Sequence, residues 1–193
     1  MRAPAIILTI SLWLLAGGAQ AQLYTEANGV LMTPRGAAGV DSDTLFRRDA
    51  IANALPGLRI TTTNVMQEDA TIPVILASDR GEVLLRIYGR DGRVYSVEGL
   101  SRRVYGPGRT QIGMPFRRVS GQNLTYCTPG MEEWSGAVLC GAAPDATLWF
   151  VFQPTNYGGP DGELPPPEAL SSAELVQIRW LAEPPAIMQA GTE

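Results

Sequence analysis

The chain has 193 residues with 15 basic and 19 acidic side chains, no histidine, and Arg as its only basic residue, since Lys is absent too. The missing His excludes Ser-His-Asp and Cys-His nucleophilic catalysis, His-ligated zinc or iron and His-based pH switching. The missing Lys excludes Schiff-base chemistry and the P-loop lysine, which leaves an enzyme only carboxylate acid/base catalysis, Tyr or Ser with unusual partners, or calcium held by oxygen ligands.

Residues 1–21 have the form of a secretory signal. Arg2 is the positive n-region, Ala5 to Ala16 (AIILTISLWLLA) the apolar core, and Ala19-Gln20-Ala21 an A-x-A cleavage site. The core is shorter than the roughly 20 residues that span a bilayer. No other run of spanning length follows, and no lipobox cysteine follows the cleavage site. The expected product is periplasmic or secreted, with no transmembrane span.

Residues 22–40 (QLYTEANGVLMTPRGAAGV) are Gly-rich and aperiodic and read as a flexible lead-in. Asp41-Ser42-Asp43 then offers N-cap oxygens, and Leu45, Phe46, Ile51, Ala54 and Leu55 recur at near-helical spacing until Pro56-Gly57. An amphipathic helix is expected over 43–55. From Leu58 the period changes to two. Strands are expected at Leu58 to Val65, Thr71 to Ser78, Glu82 to Tyr88 and Arg93 to Leu100, with turns at Asp79-Arg80-Gly81 and Arg90-Asp91-Gly92. Pro73 points to an edge or an irregular start for its strand.

Residues 101–109 read as a loop, with a short turn or helix through Met114-Pro115-Phe116. Ala146 to Gln153 (ATLWFVFQ) is a core strand, the Pro/Gly-rich stretch after it is extended through Pro165 to Pro167, and Glu174 to Leu181 closes the sheet. The fold class is α+β: an antiparallel meander with one N-terminal amphipathic helix and short helical turns. Residues 41–182 form a single domain, and 183–193 a flexible C-terminal tail.

The only cysteines, Cys127 and Cys140, bound a 14-residue segment. In an oxidising compartment such a pair closes into a disulfide; a metal site would want four His or Cys ligands, and a redox centre C-x-x-C. The pair reads as a structural disulfide worth about 3 kcal/mol by loop-closure entropy.

Charge is uneven. Residues 79–118 hold nine Arg against four acids in a chain of net charge −4. Arg102, Arg103, Arg109, Arg117 and Arg118 flank turns, with Tyr105, Phe116 and Tyr126 nearby in sequence. Arg interleaved with aromatics suits anionic glycans, lipid phosphates or an acidic protein face. These five Arg with Phe116 form the candidate binding face, against the plainer reading of a solvated surface. Glu132-Glu133 beside Trp134 are a candidate acid/base pair, although neighbours in a loop point apart into water. Asp161, Glu163 and Asn156 offer oxygens to Ca²⁺, but too few for its coordination shell.

The order of features from residue 109 on carries a resemblance. R-T-Q-I-G-M-P-F is followed by the two cysteines, then L-W-F-V-F, G-P-D-G-E-L-P at Gly159 to Pro165, and V-Q-I-R-W; upstream lie I-A-N-A-L-P-G and D-G-R-V-Y-S-V. Over most of residues 45–182 this resembles the bacterial family of unknown function typified by the RpoE-regulated lipoprotein of enteric bacteria. The resemblance implies a cell-envelope protein of α+β fold and supplies no catalytic residue. The relatives carry a lipid anchor, which this chain's missing lipobox cysteine does not support.

The expected function is a non-enzymatic binding or interaction module of the envelope, with no cofactor and no catalytic or metal residues. Its partner would be another envelope protein or an anionic envelope component, not nucleic acid. The alternative is a carboxylate-dependent hydrolase acting on an envelope glycan.

Overall fold

A computed structural model describes residues 29–184 apart from 68, 120, 122, 132, 133, 156 and 161. The signal at 1–21 and all of the tail beyond Pro184 lie outside the described residues. Residues 30–40, expected within a flexible lead-in, instead form two short strands, β1 (Val30–Thr33) and β2 (Gly36–Ala37). Val30, Met32, Ala37 and Val40 are buried. A four-residue strand is too short to display a period of two, so composition alone misplaced this segment.

The helix α1 (Arg48–Ala54) begins later than the expected residue 43. The Asp41 carboxylate accepts from the Asp43 and Thr44 amides, each at 3.0 Å, making a local turn rather than a helix cap. Thr44 and Phe46 are then spoken for: the Thr44 carbonyl accepts from Val94 N–H, and Phe46 N–H donates to the Gly92 carbonyl. Only after that strand-like stretch can the backbone turn helical, burying Ile51 and Leu55.

The expected meander is present as β3 (Arg59–Gln67), β4 (Ala70–Asp79), β5 (Glu82–Arg90) and β6 (Arg93–Gly99). Two of its turns have both central residues at positive φ, Arg80 and Gly81 in one and Asp91 and Gly92 in the other. That geometry matches the twist of the flanking strands. Pro73 lies in an internal strand, but β5 pairs with β4 only from Val74 onward, so Pro73 is beyond the last pair on that side.

Next, β7 (Val104–Tyr105) pairs parallel to β1 and completes a three-stranded sheet in the order β2-β1-β7. A one-turn helix α2 (Phe116–Val119) follows. The cysteine segment, where no strand was expected, is a hairpin of β8 (Tyr126–Pro129) and β9 (Val138–Gly141). Cys127 and Cys140 stand directly opposite in its register, bonded at 2.02 Å. Then come β10 (Leu148–Gln153), α3 (Pro167–Ser172) and β11 (Glu174–Leu181). Pro167, expected in extended chain, is instead the first helical residue after the extended Pro166. That position needs no N–H, and the fixed φ of proline suits it.

The eight long-range strands form one antiparallel sheet ordered β3-β4-β5-β6-β11-β10-β9-β8. The protein is thus mostly strand with a few short helices and one disulfide. Two four-stranded meanders meet at β6 and β11, so the strand expected to close the sheet lies at its centre.

One face of this sheet presents Ile75, Ile87, Val97, Phe150 and Ile178 to the hydrophobic core, together with Ile51, Met32 and Val104 from the elements over it. Gly99 is where the small sheet seats itself. A Cβ there would lie 2.6 Å from Val104 Cγ1 and 2.8 Å from Met32 Sδ. The Pro34 carbonyl between β1 and β2 accepts from the Trp180 indole N–H at 3.1 Å and the Thr147 hydroxyl at 2.7 Å.

Two stability outcomes follow from this packing. Met32→Ala is expected to lower unfolding free energy in urea by about 3 kcal/mol, as for other buried large-to-small changes; a loss below about 0.5 kcal/mol would mean the segment is as loose as its composition suggested. Replacing both cysteines by Ala should cost about 3 kcal/mol on the same measurement, the loop-closure figure.

Candidate functional site

Alternation assigns the second face of the sheet. Leu76, Arg86, Glu98, Arg179 and Trp149 are successive cross-strand neighbours from β4 to β10. Ser96, Tyr88 and Gln177 share that face. Although no helix or second sheet is layered on this side among the described elements, Ser96, Glu98, Gln177 and Val151 are all buried. The cause is curvature. Val65, Met66 and Gln67 on the edge strand β3 line one pocket with Trp134, which lies between β8 and β9 at the other end of the sheet. The sheet curls over this face and makes it a hollow.

Within the hollow sits a buried charge. Glu98, 3% exposed, accepts from the Tyr88 hydroxyl at 3.1 Å and from Arg86 Nη1 at 3.3 Å. The low local dielectric makes such a pair effective only if its remaining groups are satisfied. Burial works against the Arg86 charge, but hydrogen bonding and attraction from Tyr88 and Glu98 outweigh it and hold the guanidinium above its ordinary value. Burial chiefly, with the neighbouring Glu98 charge, raises the Tyr88 phenol above its usual 10.0, against the opposing pull of Arg86. Two donors remain unsatisfied: Arg86 Nε and Gln177 Nε2 are buried with no hydrogen-bond partner among the described residues. Both residues line the pocket of about 210 Å³.

A larger groove of about 530 Å³ opens on the same face. It is lined by Arg90, Arg93, Arg179, Tyr95 and Trp149, with Asp91 and Glu183 also on its walls. The Arg90 guanidinium lies 4.2 Å from the Tyr95 ring centroid. Arg93 donates to the Asp43 carbonyl at 2.8 Å, and Arg179 Nε to the Ser96 hydroxyl at 3.4 Å. Among the described residues, neither Arg90 nor Arg179 has a carboxylate within ion-pair distance. Arg179 also stands 5.9 Å from the Trp134 ring centroid, so it joins the groove to the smaller pocket.

The Arg face read from the sequence is distributed differently. Arg103 is half-buried and bound to Asp79 at 2.6 Å and Glu82 at 3.8 Å, at the β4–β5 turn. Arg102 is exposed and 3.5 Å from Glu174. Arg109 ends a helical turn at Pro107–Arg109, and Arg117 and Arg118 are exposed on α2. Phe116 N–H donates to the Ala173 carbonyl, which brings α2, like Arg102, to the start of β11. Phe116 itself packs edge-on against Phe152, centroids 5.0 Å apart, as part of the core.

Glu132, Glu133, Asp161 and Asn156 lie outside the described residues, and Glu163 is exposed. Among the described residues no three His, Cys, Asp or Glu side chains converge as metal ligands. The residues that do converge, Arg86, Tyr88, Glu98, Gln177 and Arg179, escaped the sequence reading because a charge alternating with apolar residues on a strand reads as solvent-facing. The available signal was Glu98 flanked by Val97 and Gly99, an acid in a strand with no polar neighbour to excuse it.

A family model described as a protein of unknown function (DUF1131) matches residues 22–182. The structure is similar to the crystal structure of the uncharacterized protein yfeY from Escherichia coli, with a TM-score of 0.62 and 21% sequence identity, over 78% of this chain and 98% of that one. At that identity the likeness is one of fold. No curated protein matches the chain.

Glu98→Ala strands a guanidinium that is partly out of water. It should cost about 2 kcal/mol in urea unfolding, less than a fully buried pair because Arg86 keeps some exposure, while Arg102→Ala at its exposed pair should stay within about 0.5 kcal/mol. Tyr88 also sets a pH dependence. Its folded pKa is raised, so its contribution is complete below the unfolded value of about 10 and is lost as pH rises from there through the folded pKa. Alkaline unfolding curves should therefore fall more steeply for the native protein than for Tyr88→Phe.

Proposed function

The chain belongs to the DUF1131 family, and from that footing we propose that it is an exported, non-enzymatic binding module of the cell envelope that takes an anionic envelope component in the Arg-lined groove. The disulfide supports a setting outside the reducing cytoplasm, and no helix among the described residues is long and apolar enough to cross a membrane. The resemblance to RpoE-regulated lipoproteins of enteric bacteria agrees with a periplasmic setting.

The observation that carries the reading is the groove itself. Its volume of about 530 Å³ falls within the range of small-molecule sites, and Arg90 and Arg179 face it without a carboxylate partner among the described residues. A guanidinium in that state offers charge-assisted, bidentate hydrogen bonds to a phosphate or carboxylate. Tyr95 and Trp149 supply apolar surface beside it. Arg102 and Arg103 make a poorer site, because both already have acidic partners. Of the hydrolase's four carboxylates only Glu163 is described, and its exposure on a turn does not favour that alternative.

Titration with vesicles of anionic phospholipid and with an anionic glycan, at low and high salt, tests the reading. Saturable binding that weakens with salt is expected, reduced about tenfold or more in Arg90→Ala/Arg179→Ala and unchanged in Arg102→Ala/Arg118→Ala. The reverse pattern would move the site to the turns around the start of β11, and no binding to either probe would overturn the anionic ligand.

A further inference from the structure

The two edges of the large sheet differ. At one, β8 has four residues, carries Pro129 and is tied to β9 by the Cys127–Cys140 bond; a short strand with a proline is a blunted edge. At the other, β3 runs nine residues, Arg59–Gln67, and pairs with β4 along all of them without a register shift. It holds no Pro, Gly or Lys, and Arg59 at its start is its one charged residue. Thr62, Thr63, Asn64 and Met66 are exposed, Met66 at 73%. Gln67 and Ala70 pair across a two-residue turn, so that pair is hydrogen-bonded. By alternation, the N–H and C=O groups of Ile60, Thr62, Asn64 and Met66 then point away from β4. No other backbone group among the described residues bonds to them. An edge of this kind is a template for another strand.

From this we propose that β3 pairs antiparallel with β3 of a second copy of the chain, about a two-fold axis through Thr63, joining the two sheets into one. An isologous contact needs a surface that complements itself, and β3 does so in this register. Thr63 stands opposite itself and Arg59 opposite Gln67, so the whole strand pairs and no like charges meet. The ends are complementary as well. Arg59, and Asp69 in the turn just past the other end of the strand, are both exposed, and neither has an ion-pair partner among the described residues. The antiparallel register brings Arg59 of each copy to the turn that carries Asp69 of the other, twice by symmetry. A parallel register would instead stack Arg59 on Arg59. Met66, the most exposed large apolar side chain among the described residues, is covered where it falls opposite Ile60 of the second copy. A single strand pair buries less than the roughly 1,200 Å² of a standard interface. The association is therefore weak, with a Kd on the order of 10–100 μM. It stands whether or not the groove takes an anion.

Sedimentation velocity of the purified protein from about 5 to about 500 μM tests the pairing, and a monomer–dimer equilibrium is expected across that range. Asn64→Pro removes an outward N–H from an edge strand and no bond to β4. It should weaken dimerisation at least about tenfold while the unfolding midpoint holds. Asp69→Arg should weaken it about tenfold, and Arg59→Asp/Asp69→Arg should restore it, a recovery that damage to the fold would not give. Thr63→Cys reads the register directly. Opposed residues of a non-hydrogen-bonded pair lie about 4.5 Å apart, within disulfide range, so mild oxidation should trap a covalent dimer. Thr61→Cys, which falls opposite Val65, should not be trapped. Should Asn64→Pro misfold, the charge swap and the crosslink still decide. The proposal is overturned if the protein stays monomeric throughout, which would leave the edge to a strand of another protein. It is equally overturned if dimers form that Asn64→Pro and Asp69→Arg leave unchanged, or if Thr61→Cys crosslinks as readily as Thr63→Cys.

Discussion

The pairing of Ser96, Val97, Glu98 and Gly99 on β6 with Leu181, Trp180, Arg179 and Ile178 on β11 carries the rest of the architecture. It is a contact between segments about eighty residues apart, and it joins two meanders that would otherwise be separate four-stranded sheets with four exposed edges. Register decides what each face receives. A slip of one residue would turn Glu98 and Arg179 into the hydrophobic core and expose Val97 and Trp180. The core face therefore fixes the register, and the polar hollow on the other side inherits its geometry from that choice.

Gly99 does a second task at the same place. Its lack of a side chain lets Met32 and Val104 close over the central strands, and Trp180 anchors the β1–β2 turn through the Pro34 carbonyl. With one face sealed by the small sheet and the short helices, the other is left to curl. Curvature then buries Glu98, Ser96 and Gln177 without a covering layer, and it is what makes a surface of alternating strand residues into a concave site. The disulfide sits opposite in effect: it fixes the short β8–β9 hairpin at the sheet's far edge and, through it, the loop that presents Trp134.

Two kinds of Arg emerge. Those at turns, Arg102 and Arg103 among them, are held by nearby acids and help to close the ends of strands. Those on the concave face divide between Arg86, which stabilises a buried carboxylate, and Arg90 and Arg179, which face a groove with their charge available. The same residue type thus acts as a strut, as a counter-ion and as a candidate ligand contact, and only position separates these uses.

Much of this was legible in the chain itself. Alternating β-branched and apolar residues from Leu58 to Leu100, punctuated by Arg-Gly and Asp-Gly, fixed the first meander nearly to the residue, because period and turn chemistry are local properties of the backbone. The cysteine pair spoke just as plainly, since a signal-like N-terminus predicts an oxidising compartment, where two cysteines close into a disulfide. The lead-in at residues 30–40, the β8–β9 hairpin and the late start of α1 were not legible, for each is stabilised by partners far away: β7 and the sheet, the disulfide, and the start of β6. The site lay further out of reach. Arg86 and Glu98 are twelve residues apart, but Gln177 and Arg179 join them only through the β6–β11 pairing, and whether an alternating charge faces water or a pocket depends on how the sheet curls. Sequence determined which residues share a face; tertiary structure alone decided that the face is hollow.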